Sequence, residues 1–260
     1  MVGVGGTRAD DAFLRELETW GAGGIIFFSR HLQDLDSFEA ELRRLEEANG
    51  EPLLFAIDHE GGPVLRFARE LSELPAAMAL SQGSSPEDTR RACLIAAREL
   101  RALGLNVNLA PVCDINHPDN PGIGIRSFGG DPARVAKFAA KAIEGFQEGG
   151  VLATAKHFPG KGAARSDAHI SLPKVSVSGS ELRERELAPF RAAMTANVGA
   201  MMSSHVLYPA LDPKNAASFS RVLIGELLRD ELGFDALLLT DDLEMGGARR
   251  QLEPHAAAVK

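Results

Sequence analysis

The chain is poor in cysteine, in long apolar runs and in positive charge, and each shortage removes a class of protein. Of its 260 residues only Cys93 and Cys113 are cysteines. Two isolated cysteines make neither a disulfide framework nor a zinc site, and two reduced thiols are the plain reading. No apolar stretch approaches the ~18 residues a membrane span needs. The N-terminus shows no basic segment followed by an apolar one, so no secretory signal is visible and the cytoplasm is the default location. A net charge of −8 argues against broad nucleic-acid binding, which needs basic patches. It leaves room for a local basic pocket facing an anionic sugar. No glycine-rich dinucleotide fingerprint follows the first apolar run; residues 3–6 are too short and lack the spacing. No His-x-His follows the first strand and no His-Glu-x-x-His occurs. No metal and no cofactor are expected, although a metal-dependent barrel hydrolase using His157, His169, His205 and Asp241 stays as an alternative.

What is present is an ordinary globular composition, 45% hydrophobic and 25% charged. Apolar runs alternate with amphipathic ones. Strands are expected near 2–5, 25–28, 53–57, 107–112, 151–155, 200–203 and 236–240. Helices are expected between them. Phe13, Leu14, Leu17 and Trp20 share one helical face, as do Phe38, Leu42 and Leu45, and further on Val135, Phe138, Ala142 and Phe146. Ser85, Pro86, Glu87 and Asp88 read as a cap, a first-turn proline and an acidic first turn. Another helix is expected from about 180 to 196, and another after Ser220, stopped by Gly233. Strict alternation implies a parallel sheet, and seven units of roughly 30 residues fit an α/β fold of the (β/α)₈ TIM-barrel type. Residues 1–260 are read as one barrel domain lacking about one βα unit, hence incomplete at the C-terminal end. Met1 opens directly onto a strand-like run, which leaves room for an upstream segment.

In such folds the chemistry gathers where strands end. Asp58, His59 and Glu60 follow the third strand, with Arg66 just beyond. Asp114 and Asn116 follow the fourth, with Arg126 in its loop. Lys156 and His157 follow the fifth, and a loop rich in small residues then carries Asp167 and His169. Ser204 and His205 follow the sixth strand, Asp241 and Asp242 the seventh. A pocket lined by Asp58, Arg66, Arg126, Lys156 and Asp241 would suit a polyhydroxylated ligand. Several of these residues also have a structural reading. Asp241 could cap a helix, Asp58 could close a turn with Gly61 and Gly62, His157 could be a satisfied core histidine, and Asp167 and His169 could belong to a solvated loop. An aspartate two residues before a histidine can also orient the imidazole and raise its basicity.

Five segments, in order, resemble glycoside hydrolase family 3, in its single-domain β-N-acetylhexosaminidase (β-N-acetylglucosaminidase) branch. They are IDHEGGPVLR (57–66), NLAPVCDIN (108–116), GIRSFGGDP (124–132), AKHFPGKGAARSDAHISLP (155–173) and GFDALLLTDDLEMGG (233–247). The resemblance implies a retaining glycosidase that removes terminal β-linked N-acetylglucosamine. Asp241 would be the nucleophile, His169 the general acid/base and Asp167 its partner. Asp58, Arg66, Arg126, Lys156 and His157 would grip the sugar. It further implies peptidoglycan fragments (muropeptides) as substrates, in a cytoplasmic recycling role, with phosphate able to compete with water. Lys161 and Pro63 depart from the family pattern, where histidine and arginine are common, and both ends look trimmed relative to family members. A non-catalytic N-acetylglucosamine-binding barrel, a truncated inactive form and a β-glucosidase of the same family are the other readings.

Overall fold

The computed structural model describes residues 1–32, 34–67, 71–164 and 172–259. Its centre is a seven-stranded parallel sheet: β1 (Val2–Gly3), β2 (Gly24–Phe27), β3 (Leu54–Ile57), β4 (Val107–Asn108), β5 (Leu152–Phe158), β6 (Ala200–Ser203) and β7 (Leu237–Thr240). Every strand pairs with its neighbour in sequence. A doubly wound sheet would reverse that order part-way; unbroken order is the winding of a TIM-type barrel. Among the described residues no pairing joins β7 to β1, so the barrel is open, as expected.

Side-chain caps start the helices, among them the one expected from sequence at Ser85. Asp10 accepts from the Phe13 amide to start α1 (Asp11–Trp20). Asp34 caps α2 (Leu35–Asn49), which buries Phe38, Leu42 and Leu45. Ser85 and Asp88 form a reciprocal capping box on α3 (Pro86–Ala102), and Asp131 caps α4 (Pro132–Glu148). The face of α4 bearing Val135, Phe138, Ala142 and Phe146 is buried. Gly145 lies so close to α3 that a Cβ would sit 2.2 Å from the Arg90 carbonyl oxygen.

Three expectations need correction. Trp20 is not a core residue; it is half exposed and only its edge meets Phe13. The fourth strand is shorter than 107–112. Pro111 has no N–H to give a ladder, and beyond Asn108 regular pairing gives way to an isolated bridge, Val112 to Lys156, and scattered bonds such as that from the Thr154 amide to the Ala110 carbonyl at 2.9 Å. The helix expected from 180 to 196 is broken into a short turn (Gly179–Glu181), a wide turn (Leu182–Glu186) and α5 (Ala188–Thr195). Pro189 cannot donate to the carbonyl one turn back, and the Leu187 amide reaches the Leu182 carbonyl instead, at 2.9 Å.

Candidate active site

The strand β5 is the keel of the site. It runs three residues further than its small apolar start implies, through Lys156 and His157 to Phe158, and six of its seven residues are buried. Lys156 therefore carries an ammonium in the protein interior, a costly arrangement unless it is paired. Its partners come from β3 and the hairpin that follows it (His59–Gly61 with Val64–Leu65). Nζ donates to Asp58 Oδ1 at 2.8 Å and lies 2.6 Å from Glu60 Oε1. Arg126 closes the network with a two-pronged grip on Glu60, Nε to Oε2 at 2.7 Å and Nη2 to Oε1 at 2.8 Å. Arg66 adds a looser bond to Asp58 Oδ2 at 3.2 Å.

The hairpin geometry makes this possible. Gly61 has φ +97°, and a Cβ there would meet the Pro75 carbonyl oxygen at 2.3 Å. Asn108 on β4 clamps the backbone between the two carboxylates, accepting from the His59 amide and donating to its carbonyl, each at 3.0 Å. Burial alone would raise both acids. The Lys156 charge, with Arg66 on Asp58 and Arg126 on Glu60, outweighs it and holds both below their usual range. The His59 ring is buried without a partner among the described residues and is held neutral by burial, with its pKa down to about 4.

A second layer surrounds Asp241, the residue after β7. Its side chain is 17% exposed and faces His157 and Lys161: His157 Nε2 is 4.0 Å and Lys161 Nζ 3.7 Å from Oδ2. His157 Nδ1 is in turn 2.7 Å from Oδ2 of the fully buried Asp114, whose Oδ1 accepts the Lys161 amide at 2.7 Å. His205 approaches from beyond β6 and bridges the backbone, with Nε2 3.0 Å from the carbonyl oxygens of both Asp241 and Asp242. Phe219 stacks on its ring. Burial pushes His157 far below its usual value, with Lys161 adding to the effect, and burial lowers His205 as well. Both imidazoles are thus neutral near pH 7. Burial would raise the Asp241 carboxyl, but the neighbouring cationic charge, Lys161 first, holds it below its ordinary value.

The sequence-derived residues Asp58, Arg66, Arg126, Lys156, His157 and Asp241 thus converge on one mouth at the C-terminal ends of the strands. Asp167 and His169 lie outside the described residues. Glu60 and Asp114 were noted in the sequence only for their place at strand ends and Lys161 only as a departure from the family pattern, and all three are integral to the network. Among the described residues no three His, Cys, Asp or Glu side chains gather as a metal site would require. Cys93 and Cys113 are buried and free.

Comparison with known proteins identifies the family to which this parallel barrel belongs. Residues 2–260 match the model of the glycosyl hydrolase family 3 N terminal domain. The chain belongs to glycosyl hydrolase family 3. It is 38% identical over 255 residues to a beta-hexosaminidase of Pseudomonas aeruginosa, covering 95% of this chain and 74% of that protein. Among solved structures, a family 3 β-N-acetylglucosaminidase from Paenibacillus sp. str. FPU-7 superposes with a TM-score of 0.95 at 41% identity, over all of this chain and 51% of that one. The chain therefore spans about half the length of the Paenibacillus enzyme. NagZ from Neisseria gonorrhoeae, solved with N-trifluoroacetyl-D-glucosamine, superposes with a TM-score of 0.91 at 32% identity, over all of this chain and 77% of that one. The family 3 assignment carries the glycosidase class with it, as the five sequence segments implied.

Proposed function

We propose that this family 3 chain is a retaining β-N-acetylglucosaminidase that works through a covalent glycosyl-enzyme on Asp241. The observation that carries the reading is the position of Asp241. It is a carboxylate held ionised at the end of β7, facing a neutral His157 at 4.0 Å, beside the Lys156–Asp58–Glu60–Arg126 network. Ionised carboxylates and guanidinium groups fixed at a strand mouth can bind the hydroxyls of one sugar and hold its anomeric carbon above the nucleophile.

In the first step an Asp241 oxygen bonds to the anomeric carbon while the glycosidic bond breaks. The leaving oxygen takes its proton from His169, which Asp167 orients. In the second step His169 accepts a proton from water, the water oxygen bonds to the same carbon, and Asp241 departs with its electron pair. An imidazole suits both roles because its ordinary pKa, near 6.5, lies close to neutral pH. Such acid–base help is worth roughly 10²–10⁴-fold. The relatives called beta-hexosaminidase and β-N-acetylglucosaminidase support the sugar assigned here. We extend it to fragments of peptidoglycan met in the cytoplasm. Among the described residues no helix is long and apolar enough to cross a membrane.

The test is a panel of 4-nitrophenyl glycosides. Turnover of the β-N-acetylglucosaminide with little turnover of the β-glucoside is expected. Binding of N-acetylglucosamine without turnover of either would instead make the chain a sugar-binding module. With His169→Ala, glycosides with very good leaving groups should keep their first-step rate while poor ones lose it. Equal loss on both would remove His169 from the acid role.

A further inference from the structure

Lys161 sits in the turn after β5, and its backbone is fixed from several sides. Its amide donates to Asp114 Oδ1 at 2.7 Å, and its carbonyl accepts from Asn120 Nδ2 at 2.9 Å. The next residue, Gly162, passes so close to Ile115 that a Cβ would lie 1.8 Å from that residue's carbonyl oxygen. The side chain is only 15% exposed, and its ammonium lies 3.7 Å from Asp241 Oδ2. Among the described residues, the groups that face Asp241 are His157 from β5, Lys161 from the turn after it, His205 from beyond β6, and Asp242 on its own segment. Of these, both histidines are neutral near pH 7, and the Asp242 amide donates to Asp241 Oδ1 at 3.0 Å. Lys161 is then the ammonium side chain among these described groups.

We propose that Lys161 is a positioning residue for Asp241, holding its carboxylate ionised in the free enzyme and stabilising it as the leaving group when the glycosyl-enzyme breaks down. The inference rests on the reading of Asp241 as nucleophile. Lys161 transfers no proton in either step of this proposal. Its effect on the two steps is opposite in sign. Pairing with an ammonium lowers the nucleophilicity of the carboxylate in the first step. In the second, the ester carbonyl regains a full negative charge beside that ammonium, so bond breaking is favoured.

The experiment compares wild type with Lys161→Met, Lys161→Gln and the charge-keeping Lys161→Arg, using a 2,4-dinitrophenyl β-N-acetylglucosaminide. Removing the cation raises the Asp241 pKa, so the acid limb of kcat/KM should move to higher pH. A move of about one pH unit or more is expected, seen as a roughly tenfold loss of kcat/KM on the acid side. With this good leaving group the second step limits turnover, so kcat and KM should fall together in the neutral variants. Lys161→Arg should keep the wild-type limb. A folded neutral variant whose limb coincides with wild type overturns the inference. So does a Lys161→Arg limb displaced as far as that of the neutral variants. The reading of Asp241 is checked separately by labelling wild type with a 5-fluoro glycosyl fluoride. A label on Asp241 with unmoved limbs rejects the role of Lys161 alone, and a label elsewhere rejects both.

Discussion

His157 Nδ1 lies 2.7 Å from Asp114 Oδ2, and both side chains are sealed from solvent. With the imidazole neutral, Nδ1 carries the hydrogen and donates it, so the Nε2 lone pair points toward the Asp241 side. Asp114 thereby fixes the tautomer of a group whose Nε2 lies 4.0 Å from the candidate nucleophile. Asparagine at 114 would offer an N–H to Nδ1 and turn Nε2 into a donor. Asp114→Asn is expected to lower kcat by about 10–100-fold with a smaller change in KM. Steady-state kinetics on protein of wild-type thermal stability checks it.

The pairing of Lys156 with Asp58 and Glu60 makes a statement about stability. Lys156→Met takes the shared cation from two interior carboxylates, leaving Asp58 with Arg66 and Glu60 with Arg126. The loss expected is about 3–5 kcal/mol, measured by urea denaturation. Lys156→Met combined with Glu60→Gln should cost less than the sum of the two single changes, since one of the stranded charges is gone. Asp58 and Glu60 titrate below their usual range in the folded state. Their stabilisation is present above the ordinary carboxylate pKa and is lost as pH falls through that range toward the lowered folded values. Lys156→Met should flatten that acid slope.

Glu186 titrates in the opposite sense. It is fully buried behind the turn at Gly160, its Oε2 has no partner among the described residues, and burial raises its pKa from 4.5 to about 7 against the pull of Arg185. The folded state therefore holds this proton more tightly than the unfolded chain. Stability falls as pH rises from about 4.5 to 7, and the full penalty stands above that. Glu186→Gln should raise stability at pH 8 by up to about 3 kcal/mol and have little effect near pH 4. Thermal melts at the two pH values decide it; equal effects at both would contradict the burial argument.

Gly162 has a purely steric role in seating Lys161 over Asp241. The absent Cβ would overlap a backbone carbonyl, which cannot rotate away as a side chain could. Gly162→Ala should cost roughly 1–3 kcal/mol of stability and lower kcat by moving the turn, both read on one purified variant.

Much of this was legible in the chain. Strand ends mark the mouth of a parallel barrel, and Asp58, Lys156, His157 and Asp241 stand at such ends. The cap at Ser85 is a local event, decided within four residues, so it reads directly. Glu60 was less visible because its role depends on the hairpin at Gly61, which turns it back onto Lys156 from 96 residues away in sequence. Asp114 is in plain view at a strand end, but only the packing of β5 shows it to be the partner of His157. Lys161 stood out as a departure from the family pattern, while its approach to Asp241 depends on how the turn after β5 closes over β7. Trp20 shows the converse error: helical spacing placed it on the apolar face, but it is the last residue of α1 and lies beyond the core.

The central claim is the covalent bond to Asp241. The direct measurement is mass spectrometry of the protein incubated with 5-fluoro-N-acetylglucosaminyl fluoride and then digested. The expected result is one sugar mass on the peptide spanning Leu237 to Met245, localised to Asp241, with loss of activity in step with labelling. A label on another residue, or steady turnover of the β-N-acetylglucosaminide by Asp241→Ala, would contradict it.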